Sequence, residues 1–267
     1  MTAGGYVEQR RAIEALRAGV PNRDSVRALG CAQPRIEERF RKQLESAMDD
    51  VANARQTPGL LIEGEFGSGK SHLLEYLQHV ALAERFVCSK IVISKETPLY
   101  DPTKLYRAAI QTAVAPGRQG SALTEIAFGL TFDSRGYAEL VSWANSAEAG
   151  LDARFAATLF LFERVRDEEV RDRIISFWSG EPLNTSELRR WLRDLGEAAS
   201  YKLEPVSAKE LTLQRFRFAP RLMIAAGYSG WVLLIDEVEL IGRYSFKQRA
   251  RSYAELARWA GKLDNQT

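Results

Sequence analysis

An α/β fold, a parallel sheet interrupted by a long all-helical insertion, is what this 267-residue sequence predicts. Three observations lead there. A glycine-rich stretch, GEFGSGKS at residues 64–71, lies between the apolar run Leu60-Leu61-Ile62 and a segment of helical spacing from His72 onward. Far downstream a second apolar run, Trp231 to Ile235, ends in Asp236-Glu237. Between Asp101 and about Tyr228, helical periodicity is nearly continuous.

The glycine-rich stretch fills every fixed position of the pattern G-x-x-x-x-G-K-[ST] with Gly64, Gly69, Lys70 and Ser71. Gly64 and Gly69 permit positive φ and Gly67 lies between them, so the backbone can curl until its N–H groups face a polyphosphate. The predicted cradle is Gly64, Glu65, Phe66, Gly67, Ser68, Gly69, Lys70, Ser71 and His72. Lys70 would reach the β- and γ-phosphates of a nucleoside triphosphate and Ser71 would hold Mg²⁺, while the helix behind them adds about half a unit of positive charge. Strand, loop and helix in that order define a phosphate-loop NTPase core.

The second run suits a strand buried on both faces of a parallel sheet. At its carboxyl end Asp236 is placed to hold Mg²⁺, and Glu237 to orient and deprotonate an attacking water. Lys70 and Glu237 are thus the predicted catalytic residues, with Ser71 and Asp236 on the metal.

Taken in order, the elements divide the chain into four. Residues 1–55 are a helical N-terminal segment: Tyr6 to Ala18, a turn capped by Asp24, then a long helix from Gln33-Pro34 to about Arg55 with Phe40, Leu44, Met48 and Val51 on one face. Residues 56–100 hold the first half of the core, namely the strand before the loop, a helix to about Glu84, and a second strand over Phe86 to Ile93. A right-handed parallel crossover would join those two strands. Residues 101–228 form the insertion, with helices predicted over 102–114, 121–130, 137–147, 151–164, 168–178, 185–197 and 208–226, the last broken or kinked at Pro220. Residues 229–267 carry the acid-tipped strand, a helix from Phe246 to Lys262, and a polar tail.

Composition narrows the function classes. Thirty-seven basic against 35 acidic side chains argue against a dominant nucleic-acid or membrane patch. No apolar stretch has the length of a bilayer span and no signal-peptide core opens the chain, so a cytoplasmic protein is expected. Two cysteines, Cys31 and Cys88, are too few for a disulfide framework, and Cys88 reads as a core residue of its strand. Arginines cluster at Arg164, Arg166, Arg171 and Arg173 and at Arg189, Arg190 and Arg193, each among acids, as on a solvated helix face. Arg215, Arg217 and Arg221 have fewer acidic neighbours and are the preferred contact stripe within the insertion.

The segments AIEALRAGVPNRDSVRALG, SKETPLYDPTKLYRAA, RFRFAPRLMIAAGYSGWVLLIDEVELIGRYS and SYAELARW together resemble the ATP-binding proteins of BREX bacteriophage-exclusion systems, bacterial ATPases related to the AAA+ and origin-recognition-like branch. The resemblance implies an ATPase that works with other defence-system proteins, as a homo-oligomer or with DNA among the options. It also implies adenine contact near Gln33, Pro34, Arg35 and Glu37, and candidates for a trans-acting arginine in Arg243, Arg249 and Arg251. A complete core of that branch has five parallel strands in the order 5-1-4-3-2, whereas about three are legible here. A longer protein, strands closing in another order, or strands supplied by a partner subunit would each resolve this, and the first is preferred.

Overall fold

A computed structural model describes residues 26, 30, 33–52 (backbone alone for 48–52), 57–65, 67–118, 120–197 and 199–261. The expected helix over 6–18, the turn at Asp24, the side chains of Met48 and Val51, Phe66 and the polar tail lie outside these residues.

The element order is α1 (Pro34–Ala52), α2 (Lys70–Ala83), β1 (Val87–Val92), α3 (Pro102–Gln111), β2 (Ala113–Val114), α4 (Ala122–Phe128), α5 (Arg135–Ala144), α6 (Ala153–Arg164), α7 (Glu168–Trp178), α8 (Thr185–Asp194), α9 (Ala208–Ala225), β3 (Trp231–Asp236) and α10 (Phe246–Trp259). Most helices in the insertion begin on a side chain that captures a free N–H. Asp101, Ser134, Asp152, Asp167, Asn184 and Ser207 each do so, which is why the boundaries fall there.

The sheet has the order β2-β1-β3. β1 and β3 are parallel, with Val87 opposite Trp231 and Val92 opposite Asp236, while β2 runs antiparallel to β1. The sheet is therefore mixed, not parallel throughout, and its third member is not the expected one. Leu60-Leu61-Ile62 has no strand assignment. An extended segment becomes a strand only through a partner's backbone, and among the described residues the side of β3 away from β1 has no paired strand. The crossover expected between a loop-leading strand and β1 is accordingly absent. The helix predicted over 102–114 also stops early, because Ala113 and Val114 pair with Ser89 and Cys88.

Side chains alternate across the sheet. Cys88, Val232 and Leu234 pack with Phe40, Leu44, Leu73 and Leu77 of α1 and α2 on one face. Ile91, Leu233 and Ile235 pack with Leu105, Ala109, Leu256 and Trp259 of α3 and α10 on the other. Helices on both faces explain the unbroken apolar run of β3. Even so, β3 is only partly buried, Leu234 and Asp236 excepted, because its outer edge is open.

The helical insertion has its own core, in which Phe155, Phe162, Phe177, Trp178 and Phe218 are all at most 1% exposed. α9 runs unbroken through Pro220, contrary to the expected break, with Phe218, Ala219, Leu222 and Met223 buried around it. Among the described residues no helix is long and apolar enough to cross a membrane.

Candidate functional site

The three loop glycines do different work. Gly67 and Gly69 have φ of +78° and +87°, the left-handed region, with open space where a Cβ would stand. Gly64 does not adopt positive φ, contrary to expectation. A Cβ there would stand 2.6 Å from Ser68 Oγ, a contact that rotation of the serine side chain relieves. The Ser68 N–H donates to Glu65 O (3.2 Å) and closes the turn. α2 then starts at Lys70 with Gly69 as its N-cap and no side chain capping its first N–H groups. Those donors and the positive helix end face the loop, the arrangement that binds anions.

Lys70 lies back over the loop. Its Nζ donates to Gly64 O (2.9 Å) and Glu65 O (3.1 Å) and lies 3.9 Å from Glu239 Oε1. His72 Nε2 is 3.3 Å from Gly30 O, which ties the segment before α1 to the first turn of α2. Of the predicted adenine contacts, Glu37 is engaged elsewhere, holding Arg41 (3.0 Å) and accepting from Tyr76 Oη (2.9 Å) between α1 and α2.

β3 delivers Asp236 to the same region. Asp236 is 8% exposed, and by alternation with Val232 and Leu234 its side chain lies on the α2 face of the sheet. One carboxylate oxygen accepts the Glu237 N–H (3.0 Å). Glu237 itself sits at φ 60°, ψ 30°, an uncommon conformation for this residue type, and turns the chain sharply into the 3₁₀ turn Val238–Arg243.

Lys70, Asp236, Glu237 and Glu239 line one cavity of about 420 Å³. The rest of its wall is largely apolar: Leu60 to Ile62 on one side, β3 on the other, and Phe40, Leu44 and Trp259 across the ends. The structure thus brings the predicted lysine and both predicted acids together. Among the described residues, Ser71, His72 and loop residues 64, 65 and 67–69 do not line this cavity, and the described loop residues other than Lys70 are exposed. Among the described residues no group of three or more His, Cys, Asp or Glu side chains forms a metal cage.

Sequence reasoning missed Glu239. The signal was present in Asp236-Glu237-Val238-Glu239, three acids within four residues, of which the third meets the lysine. Of the arginine stripe, Arg215 does not reach the surface. Arg215 is 3% exposed, with Nε and Nη2 donating to Phe177 O and Glu181 O (both 2.8 Å), and burial lowers its pKa to about 10. Arg217 donates to Gly150 O, and Arg221 lies over the Trp143 ring. Arg164, Arg166, Arg173 and Arg190 surround a second cavity interleaved with Asp167, Glu169, Glu187 and Asp194, so that surface is not uniformly basic.

No curated protein and no solved structure matches the chain. A family does. Residues 7–131, just under half of the chain and including the glycine-rich loop, α2 and β1, match the family described as BREX system ATP-binding protein BrxC/D.

Proposed function

We propose that this chain is the ATP-binding and ATP-hydrolysing component of a BREX-type phage-defence system, coupling the nucleotide to assembly with other proteins of that system in the cytoplasm. The observation that carries this reading is a phosphate loop whose lysine lines one cavity with Asp236 and Glu237. The loop N–H groups and the end of α2 take the phosphates, Lys70 leaves Gly64 and Glu65 for them, and Glu237 orients the attacking water. Ser71 and Asp236 suit a Mg²⁺ carried in on the nucleotide, because such an ion draws most of its ligands from phosphate and water and needs few from protein. That ion would offset phosphate charge. Residues 56–100 and 229–267 form the nucleotide core in this reading, 101–228 the partner-facing insertion, and 1–55 the segment reaching the adenine.

Lys70→Ala is expected to abolish ATP binding in calorimetric titration; wild-type affinity in that variant would sink the proposal. Glu237→Gln should keep binding and stop phosphate release, and retained turnover removes Glu237 from the role of base.

One observation favours a second reading, a nucleotide-gated module with no appreciable turnover. Leu60 to Ile62 stand outside the sheet, so the loop is not fixed on a paired strand, whereas Asp236 is held on β3 beside β1. Steady phosphate release by this chain excludes that alternative.

A further inference from the structure

The Lys70 ammonium donates to Gly64 O at 2.9 Å and Glu65 O at 3.1 Å, and Glu239 Oε1 stands 3.9 Å away, an ion pair beyond hydrogen-bond reach. Both carbonyls belong to the loop that is to receive phosphate, and the carboxylate is an anion. Among the described residues neither Asp236 nor Glu237 brings a carboxylate oxygen within 4.0 Å of the amine. The acid that faces the lysine is therefore neither of those assigned to metal and water.

Its position follows from the backbone. β3 ends at Asp236, the left-handed Glu237 reverses the direction of the chain, and the 3₁₀ turn is pinned by the Leu240 N–H to Glu237 O (3.0 Å) and by Ile241, 1% exposed. Glu239 stands on the outer side of that anchored turn with a side chain 56% exposed, so it can swing away at little cost.

We propose that Glu239 is a latch on the phosphate loop. Its carboxylate pairs with the amine that two loop carbonyls hold down; a polyphosphate binds by drawing the amine off those carbonyls and displacing the carboxylate. The proposal rests on the nucleotide-binding reading above. It assigns Glu239 a positioning role that acts through Lys70, opposed in sign to the lysine: the acid weakens anion binding, by competing for the amine and by repelling the incoming charge. Both effects act between exposed groups and are screened within about 10 Å at ordinary salt.

The test is titration of Mg²⁺-free ATP and of inorganic tripolyphosphate into the wild-type chain, Glu239→Gln and Glu237→Gln, at low and at moderate salt. Omitting the metal removes any part an acid plays as its ligand. Glu239→Gln is expected to bind both anions roughly two- to fivefold tighter at low salt, the range of an exposed ion pair, with a smaller gain at higher salt. Glu237→Gln changes charge equally at the same cavity without touching Lys70 and should gain less. Unchanged or weaker binding by Glu239→Gln, or an equal gain in Glu237→Gln, overturns the latch.

A second readout needs no nucleotide. Acylation of Lys70 by a water-soluble amine reagent, followed by peptide mass spectrometry, should be faster in Glu239→Gln, where the amine leaves the loop more often. An unchanged rate in a variant with the wild-type unfolding midpoint overturns the latch even if ATP binds. If the rate rises but no chain binds ATP or tripolyphosphate, the pairing stands and the nucleotide reading alone is lost.

Discussion

The helical insertion and the sheet both bury apolar sequence, yet one is closed and the other open. In the insertion, Trp178 is fully buried and its indole N–H reaches Thr158 Oγ1 at 3.0 Å. Tyr106 Oη donates to Trp178 O at 2.6 Å, and Arg215 caps two carbonyls nearby. In the sheet, among the described residues, β3 has one paired edge, a cavity lined by β3 residues lies beside it, and the indole N–H of Trp259, on the cavity wall, is buried with no hydrogen-bond partner. The difference is one of hydrogen-bond range. A helix satisfies its backbone within itself, so a bundle closes as soon as its side chains pack; a strand depends on neighbours on both sides. The candidate site lies at the open region, and the six largest fully buried side chains, Trp178, Tyr106, Phe155, Phe162, Phe177 and Phe218, lie in the closed one.

Trp178→Ala tests that contrast most severely. Removing the largest fully buried side chain of the insertion should cost about 3–5 kcal/mol in urea unfolding. Helical signal and Trp231 environment should be lost in one transition if the sheet leans on the insertion. A cost below about 1 kcal/mol would mean the closed region does not hold the molecule together.

Alkaline titration addresses the sheet. Burial raises the Cys88 thiol from 9.0 to about 12. A raised value means the native state keeps a proton the unfolded chain releases, so the stabilisation is complete below pH 9 and is lost from there towards pH 12, at about 1.4 kcal/mol per unit. Burial also raises Tyr106 and Tyr137 above their ordinary value of 10.0, so the insertion joins the loss only above that pH. Between pH 9 and 10 the slope should be reduced in Cys88→Ala. The same slope in that variant would show that the β1 core is already hydrated.

Hydrogen exchange reads the open edge residue by residue. The Val87 N–H to Gly230 O and Ile93 N–H to Asp236 O bonds set the parallel ladder, which turns the backbone groups of Val232, Leu234 and Asp236 toward β1 and those of Trp231, Leu233 and Ile235 away. The second set should exchange roughly tenfold or more faster than the first. Uniform protection along β3 would mean that its outer edge is paired in solution.

These contrasts also mark what could be read from the amino acids. α2, β1, β3 and most of the insertion were legible because 3.6-residue periodicity, capping side chains and short apolar runs are local properties. What failed was whatever another segment decides. Leu60 to Ile62 has the composition of a strand and no paired neighbour; Ala113-Val114 has the spacing of a helix end and is captured by β1. Arg215 reads as a surface charge by its sparse acidic neighbours in sequence, yet its partners are carbonyls at Phe177 and Glu181. At the site, the loop pattern and the acid pair were visible as residue types, while the approach of Glu239 to Lys70 follows from the turns at Gly69 and Glu237.

The smallest effect belongs to Leu61, and it separates the two regions sharply. Leu61 lines the cavity with its side chain 70% exposed, between the partly buried Leu60 and Ile62. By the apolar pattern alone a Leu61→Ser change in a strand would cost as much as one in the core. With the segment outside the sheet the leucine has little burial to lose, so the change in urea stability should stay within about 0.5 kcal/mol. A cost of about 2 kcal/mol or more would require Leu61 to be packed in solution, the outcome expected once a strand fills the gap between it and β3. Leu61 is therefore a reporter on closure of the sheet: measured in this chain and again with candidate partner proteins, a rise in its cost from near zero to that of a core leucine would identify the condition in which the open region becomes as complete as the insertion.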